Sequence, residues 1–361
     1  MRVAFRADAS LQMGTGHIMR CVTLADALRR QGVKSHFLCR AHPGHMIDFI
    51  REKGHEVHTL ATDDGATDAD GPAHAAWLGT TQVSDAQASL DFLCEWRPDW
   101  LVVDHYALDH RWESEMYHYC KRLMVIDDLA DRPHTCDLLA DQNLGRVVID
   151  YAERVPANCK VLAGPKFALL RPEFTRLRNY SLQRRQKPVL RKLLITMGGV
   201  DLNNATYQVL DALQLCTLVP GFQVTIVLGA FAPWLANVRK KAADLPCKVE
   251  VLVSVDDMAR LMADADICIG AAGSTSWERC CMGLPTIVVV LADNQRQIAQ
   301  NLEKAGAAVA IEQQQINKVL PKLLTPQMTP VNFWLAMSKA AAEVTDGNGV
   351  SAVIYQMEQQ L

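Results

Sequence analysis

Short β-branched runs alternate with amphipathic stretches of helical period from the third residue onward, and the pattern is played twice along the chain. A strand that recurs after every helix fits a parallel sheet with helices on its faces. In the first half the strand-like runs are 3–7, 35–39, 56–60, 100–104, 124–127 and 160–164, with helical stretches at 17–31, 44–53, 84–96 and 109–121. In the second half they are 192–197, 223–228, 248–253, 267–270, 286–291 and 307–311, with helices at 203–213, 233–243, 256–263, 274–282 and 294–305. The fold class predicted is therefore α/β, with two Rossmann-like domains. A length of 361 residues suits two domains of roughly 150 to 180 residues each.

The break falls at 171–192, where eight basic residues meet one acidic residue and no apolar period survives. That stretch reads as a linker. The domains are then 1–170 and 193–345, followed by a terminal helix in 346–361. Residues 61–76, rich in Ala, Asp, Gly and Thr, read as a mobile surface loop. Beyond residue 313 the chain reads as helical only.

Composition removes several function classes. Hydrophobic residues make up 49% and charged residues 21%, enough apolar material for packed cores. The 37 Lys and Arg against 40 Asp and Glu leave a net charge of −3, without the positive field that nucleic acid needs. The longest apolar stretches, such as 284–292, are too short to span a bilayer, and the first ten residues carry charges where a signal peptide is apolar. A cytoplasmic location is expected. The eleven cysteines show no C-x-x-C pair and are read as reduced core residues. All eleven histidines lie between His17 and His134, but none forms an i, i+4 pair in an apolar frame, so no metal site is expected.

Four places carry candidate chemistry. The first strand runs into Gly14-Thr15-Gly16 and then His17. Such a turn brings backbone amides to a phosphate or sugar at a helix start. Met19 and Arg40 stand where a dinucleotide fingerprint needs a small and an acidic residue, and there is no Walker A sequence. His17 is either a general base, with the dipole end favouring its uncharged ring, or a capping or packing histidine. Asp104 and Tyr106 emerge from the end of a buried strand, where open α/β sheets bind ligands. Asp104 either acts there or caps the helix that follows. Asp127-Asp128, at the end of the next strand, reads as a cap.

In the second half, Gly198 and Gly199 either face a phosphate or make a tight strand-to-helix turn. In ICIGAAGSTSWERCCMGLP a strand ends in small residues and Ser274 and Thr275 begin a helix. Hydroxyls and amides there suit a diphosphate, and Glu278, one turn on, can accept both hydroxyl protons of a ribose. Asn294 and Gln295 follow the next strand on the same edge. Glycine turns at the strand ends of two facing domains imply a ligand held in a central cleft.

Taken together, R-A-D-A-S-x-x-M-G-T-G-H-I-M-R, V-V-D-H-Y, residues 125–144, A-L-L-R-P-E-F, T-M-G-G-V-D and G-S-T-S-W-E followed by N-Q resemble the PseG family of UDP-sugar hydrolases in pseudaminic acid biosynthesis. That family acts on UDP-2,4-diacetamido-2,4,6-trideoxy-β-L-altropyranose. It has the GT-B glycosyltransferase fold and is similar to the UDP-GlcNAc transferase of lipid II synthesis. The resemblance covers most of residues 1–310.

It implies that His17 activates a water that attacks the anomeric carbon, releasing UDP with inversion and C–O cleavage. It places Tyr106 along the sugar pocket and Asn294 on the substrate from the opposite domain. Glu278 matches the ribose-binding carboxylate, and Ser274 and Thr275 match the diphosphate-binding helix start. Arg171 matches a residue near the uracil pocket, and Met258 the segment whose backbone holds the uracil. No metal or cofactor is implied, because donors at two helix starts can stabilise the leaving diphosphate. Residues 61–76 and the tail after 313 are not explained by these motifs. The competing readings are a UDP-sugar-dependent glycosyltransferase on the same fold, and a nucleotide-sugar-binding protein in which His17 is structural.

Overall fold

A computed structural model describes residues 1–62, 67–68, 70–230, 232–325 and 328–361. Part of the predicted 61–76 loop lies outside the described residues. The chain divides into two units, Met1–Leu169 with Asn348–Leu361, and Leu170–Gly347.

Among the described residues of the first unit, seven strands form one parallel sheet: β1 (Arg2–Ala7), β2 (Lys34–Arg40), β3 (Glu56–Leu60), β4 (Trp100–Asp104), β5 (Arg122–Ile126), β6 (Leu138–Asp141) and β7 (Lys160–Ala163). Their order is β3-β2-β1-β4-β5-β6-β7. The central strands are buried on both faces and largely apolar, as parallel sheets require, with Arg6 of β1 as a buried exception. One face carries α1 (Gly16–Arg30) and α2 (Ile47–Glu52), and the other carries α3 (Gln82–Trp96) and α4 (His110–Met116). Order reverses between β1 and β4, the switch point where sheets of this type open a crevice at their carboxyl ends.

The second unit has six parallel strands among its described residues: β8 (Lys192–Thr196), β9 (Gln223–Leu228), β10 (Lys248–Val253), β11 (Ile267–Ala271), β12 (Thr286–Val290) and β13 (Val309–Glu312), in the order β10-β9-β8-β11-β12-β13. Here the switch point lies between β8 and β11. Helices α6 (Ala205–Gln214), α7 (Leu235–Ala243) and α11 (Ile316–Leu323) bury their apolar sides in the core, while α8 (Met258–Asp264), α9 (Thr275–Cys281), α10 (Arg296–Lys304) and α12 (Val331–Val344) complete the unit.

One expectation changes. The basic stretch read as a linker is α5 (Pro172–Arg185), started by Pro172 at its first turn. Two of its arginines face inward: Arg178 donates to Ala342 O at 2.7 Å, and Arg185 donates to Met262 O and Ala265 O at 2.7 and 2.9 Å. They close the carbonyl ends of neighbouring segments in place of an apolar stripe. The terminal helix, α13 (Gly349–Glu358), returns to the first unit and packs on α1, with Val353, Ile354 and Met357 buried in that unit's core. Gly349 passes so close to Phe167 and Ala168 that a Cβ would lie 2.3 Å from Ala168 O. Six of the eleven unpaired cysteines are buried; Cys94 is exposed.

Candidate functional site

At the first switch point the end of β1 passes into a tight turn. Ser10 Oγ accepts from Met13 N at 3.0 Å, Gly14 N donates to Ser10 O, and Gly14 sits at φ 76°. Thr15 stands at the N-cap of α1 without a side-chain cap, so the amides of the first turn, Gly16 and His17 among them, have no hydroxyl or carboxylate from the cap residue.

His17 projects from that turn toward the end of β4, where its Nδ1 lies 2.6 Å from Asp104 Oδ1. Arg20, one turn along α1, grips the same carboxylate with Nε on Oδ2 and Nη2 on Oδ1, both at 2.6 Å. Burial opposes the charge on Asp104, but Arg20 and then His17 hold its carboxyl below the usual carboxylate range. An ionised Asp104 only accepts, so Nδ1 carries a proton, and in the neutral ring the lone pair is then on Nε2. Among the described residues no hydrogen-bond partner meets Nε2. His17 is 7% exposed. Asp104 is thus not the cap of α4; Asp109 performs that task, accepting from Arg111 N at 3.0 Å.

Tyr106 sets its ring against that of His17, with centroids 4.6 Å apart and planes at 86°. Its hydroxyl donates to Asp128 Oδ2 at 2.9 Å, and Arg20 Nη1 reaches the same oxygen at 2.5 Å. The Asp127-Asp128 pair therefore divides its labour. No helix stands between β5 and β6, so Asp127 caps none: it accepts from Ala130 N at 2.7 Å, which closes a turn, and pairs with Arg132. Asp128 belongs to the His17 cluster. Arg20 and Asp128 escaped the sequence reading, although Arg20, three residues after His17 on a helix, shares its face.

Behind this cluster Arg6, Arg40, Asp8 and Asp85 form a buried charge network. Asp85 accepts from Arg6 at 2.7 and 3.0 Å, from Arg40 at 2.7 Å and from Trp112 Nε1 at 3.1 Å. Asp8 accepts from Arg40 N at 2.7 Å and fixes the strand end from which the Gly14 turn departs.

In the second unit, Arg171, Glu278 and the segment ahead of Met258 come together. Arg171 Nη1 donates to Asp256 O at 3.3 Å, and its Nη2 lies 3.7 Å from Glu278 Oε1. Met258 opens α8, capped by Asp257. Burial pushes the Glu278 carboxyl up to about 7, against the downward pull of Arg171. Ser274 and Thr275 stand at the start of α9, with the first helical amides turned to Gly273 O and Ser274 O. The start of α6 differs: Asp201 accepts from Ala205 N and Thr206 N at 2.9 Å, which closes that helix end to an anion. The turn before it, with Gly198 at φ 92°, is packed so closely that a Cβ on Gly229 would meet Gly199 O at 2.2 Å. Asn294 is exposed after β12, while Gln295 turns back to accept from Leu291 N at 3.0 Å. Among the described residues no group of three or more His, Cys, Asp or Glu could hold a metal ion, and no helix is long and apolar enough to cross a membrane.

Residues 193–351 match the glycosyltransferase family 28 C-terminal domain. An uncharacterized protein of Methanocaldococcus jannaschii is 25% identical over 82% of this chain and 57% of its own length. A UDP-2,4-diacetamido-2,4,6-trideoxy-β-L-altropyranose hydrolase of Campylobacter jejuni is 25% identical over 86% of this chain and 98% of its own. The crystal structure of Acinetobacter baumannii MurG superposes with a TM-score of 0.69, 16% identity and 99% coverage of both chains. The fold is GT-B.

Proposed function

We propose that this GT-B protein, with its glycosyltransferase family 28 C-terminal domain, is an enzyme that hydrolyses a UDP-linked amino-sugar to UDP and the free sugar. The observation that carries the reading is the His17–Asp104 pair: an imidazole fixed in one tautomer at the switch point of the first sheet, its Nε2 unengaged among the described residues. In this reading Nε2 takes a proton from water, and the water oxygen forms a bond to the anomeric carbon. The bond from that carbon to the diphosphate oxygen breaks, its electron pair leaves with UDP, and the configuration inverts. Asp104 keeps Nδ1 protonated and balances the imidazolium, while Arg20 keeps Asp104 ionised.

The second unit's share is the nucleotide. Glu278 accepts the ribose hydroxyls, Arg171 and the backbone ahead of Met258 frame the base, and Ser274 and Thr275 donate to the diphosphate. Gly14, Thr15, Gly16 and Tyr106 serve the sugar, with Asn294 and Gln295 as further polar contacts. The likeness to the C. jejuni hydrolase over 98% of that protein supports UDP-2,4-diacetamido-2,4,6-trideoxy-β-L-altropyranose as substrate, and with it a place in pseudaminic acid biosynthesis.

A second reading, a UDP-sugar glycosyltransferase, is favoured by the match of residues 193–351. There His17 would deprotonate an acceptor hydroxyl. UDP release from the pure protein and the UDP-sugar alone supports the hydrolase; release only after an acceptor is added supports the transferase; binding without release leaves His17 structural.

A further inference from the structure

None of the motifs explains the segment between β3 and α3, yet it sets two aromatic rings beside the candidate base. Residues Ala75–Leu78 make a short 3-10 turn, closed by Gly79 at φ 70°. A Cβ on Gly79 would lie 2.9 Å from the His42 ring, so the turn is pressed onto the sheet edge. Leu78 is 1% exposed and anchors the turn in the core. His74 and Trp77, by contrast, are only half-buried.

Their rings continue the one that touches His17. His74 and Trp77 lie 4.4 Å apart, Trp77 stacks with Tyr106 at 5.8 Å and 30°, and His74 meets Tyr106 at 5.5 Å. Tyr106 itself is buried and tied to Asp128, so the rings upon it are held to a fixed neighbour. Burial shifts the His74 imidazole toward its neutral form, which suits apolar contact. A half-buried indole stacked on Tyr106, the ring that touches His17, is the surface a ligand with an apolar side would cover. A pyranose has such a side, a face of C–H bonds, and a 6-deoxy sugar adds a methyl to it.

We propose that His74 and Trp77 extend Tyr106 into an aromatic wall that packs against the C–H face of the sugar beside His17 and so selects the sugar processed. The proposal rests on the nucleotide-sugar reading above, and it adds specificity residues that the quoted motifs do not contain.

The test uses the full chain with Trp77→Ala, Trp77→Phe and His74→Ala. Dissociation constants are measured for UDP and for UDP-2,4-diacetamido-2,4,6-trideoxy-β-L-altropyranose, together with kcat and KM for the latter and for UDP-N-acetylglucosamine. Trp77→Ala should raise KM for the deoxy sugar about tenfold, leave the UDP dissociation constant within twofold, and narrow the preference over UDP-N-acetylglucosamine; Trp77→Phe should recover most of the loss. Unchanged KM and preference, or an equal loss for UDP itself, overturns the wall. If Trp77→Ala does not fold, His74→Ala must shift KM in the same direction by at least threefold, and no shift overturns the proposal. If wild-type protein releases no UDP, hydrolysis fails on its own. The wall then stands or falls on whether Trp77→Ala or His74→Ala removes the extra affinity of the UDP-sugar over UDP.

Discussion

His17 Nδ1 lies 2.6 Å from a carboxylate oxygen of Asp104 that Arg20 also holds at 2.6 Å, so the orientation of the ring depends on two residues outside it. His17→Ala should lower the turnover rate by about a hundredfold or more with UDP affinity nearly intact. Asp104→Asn should do comparable damage, because the amide no longer dictates that Nδ1 carries the proton. Steady-state rates with parallel UDP titrations check both; a variant that turns over at the wild-type rate would move the base elsewhere.

Glu278 yields a pH prediction. Its carboxyl sits near 7 because burial favours the protonated form, yet the proposed ribose contact needs the ionised one. UDP affinity should therefore rise with pH up to about 7 and level off above, and Glu278→Gln should remove that dependence. Stability runs the other way. The unfolded chain releases this proton at about 4.3, so the ligand-free second unit should lose stability as pH climbs from there through 7. Calorimetric titrations and urea melts at pH 5, 6, 7 and 8 separate the two effects. Glu278→Ala should weaken UDP roughly tenfold or more, and an unchanged affinity would remove this residue from the ribose.

Asp85 holds two buried guanidiniums and an indole N–H. Asp85→Ala strands them, and a loss of about 3 to 5 kcal/mol is expected for breaking such a buried pair. Urea unfolding should report it as a drop in midpoint; a shift within experimental error would mean that solvent or a neighbour takes over from the carboxylate.

Deleting residues 348–361 removes Val353, Ile354 and Met357 from the core against α1, the helix that carries His17. Burial of three such side chains contributes on the order of 5 kcal/mol. The truncated chain should melt earlier and lose activity in step; a stable, fully active truncation would show that α13 does not support α1.

The strands were legible where a short β-branched or apolar run is set off by turn residues: 56–60, 100–104, 223–228 and 248–253 coincide with β3, β4, β9 and β10, the edge strands β3 and β10 included. β6, Leu-Leu-Ala-Asp, has no β-branched residue to mark it as a strand. α5 was hidden for another reason. Its inward side is arginine bound to carbonyls, and hydrophobic periodicity cannot register a buried guanidinium. His17 and Asp104 could be read because each sits at a strand or helix end on the ligand edge of the sheet. Asp128 could not be told from Asp127 in sequence, since only the third dimension sends one carboxylate to Ala130 N and the other to Arg20. His74 lay in the segment read as loop and Trp77 just beyond it, where no periodicity pointed to a site.

The most direct test is turnover of UDP-2,4-diacetamido-2,4,6-trideoxy-β-L-altropyranose by the pure protein in oxygen-18 water without any acceptor. The account predicts UDP release with the label in the anomeric hydroxyl of the free sugar, none in the UDP phosphates, and loss of the reaction in His17→Ala. Label in the phosphates, or no release until an acceptor is supplied, would contradict it.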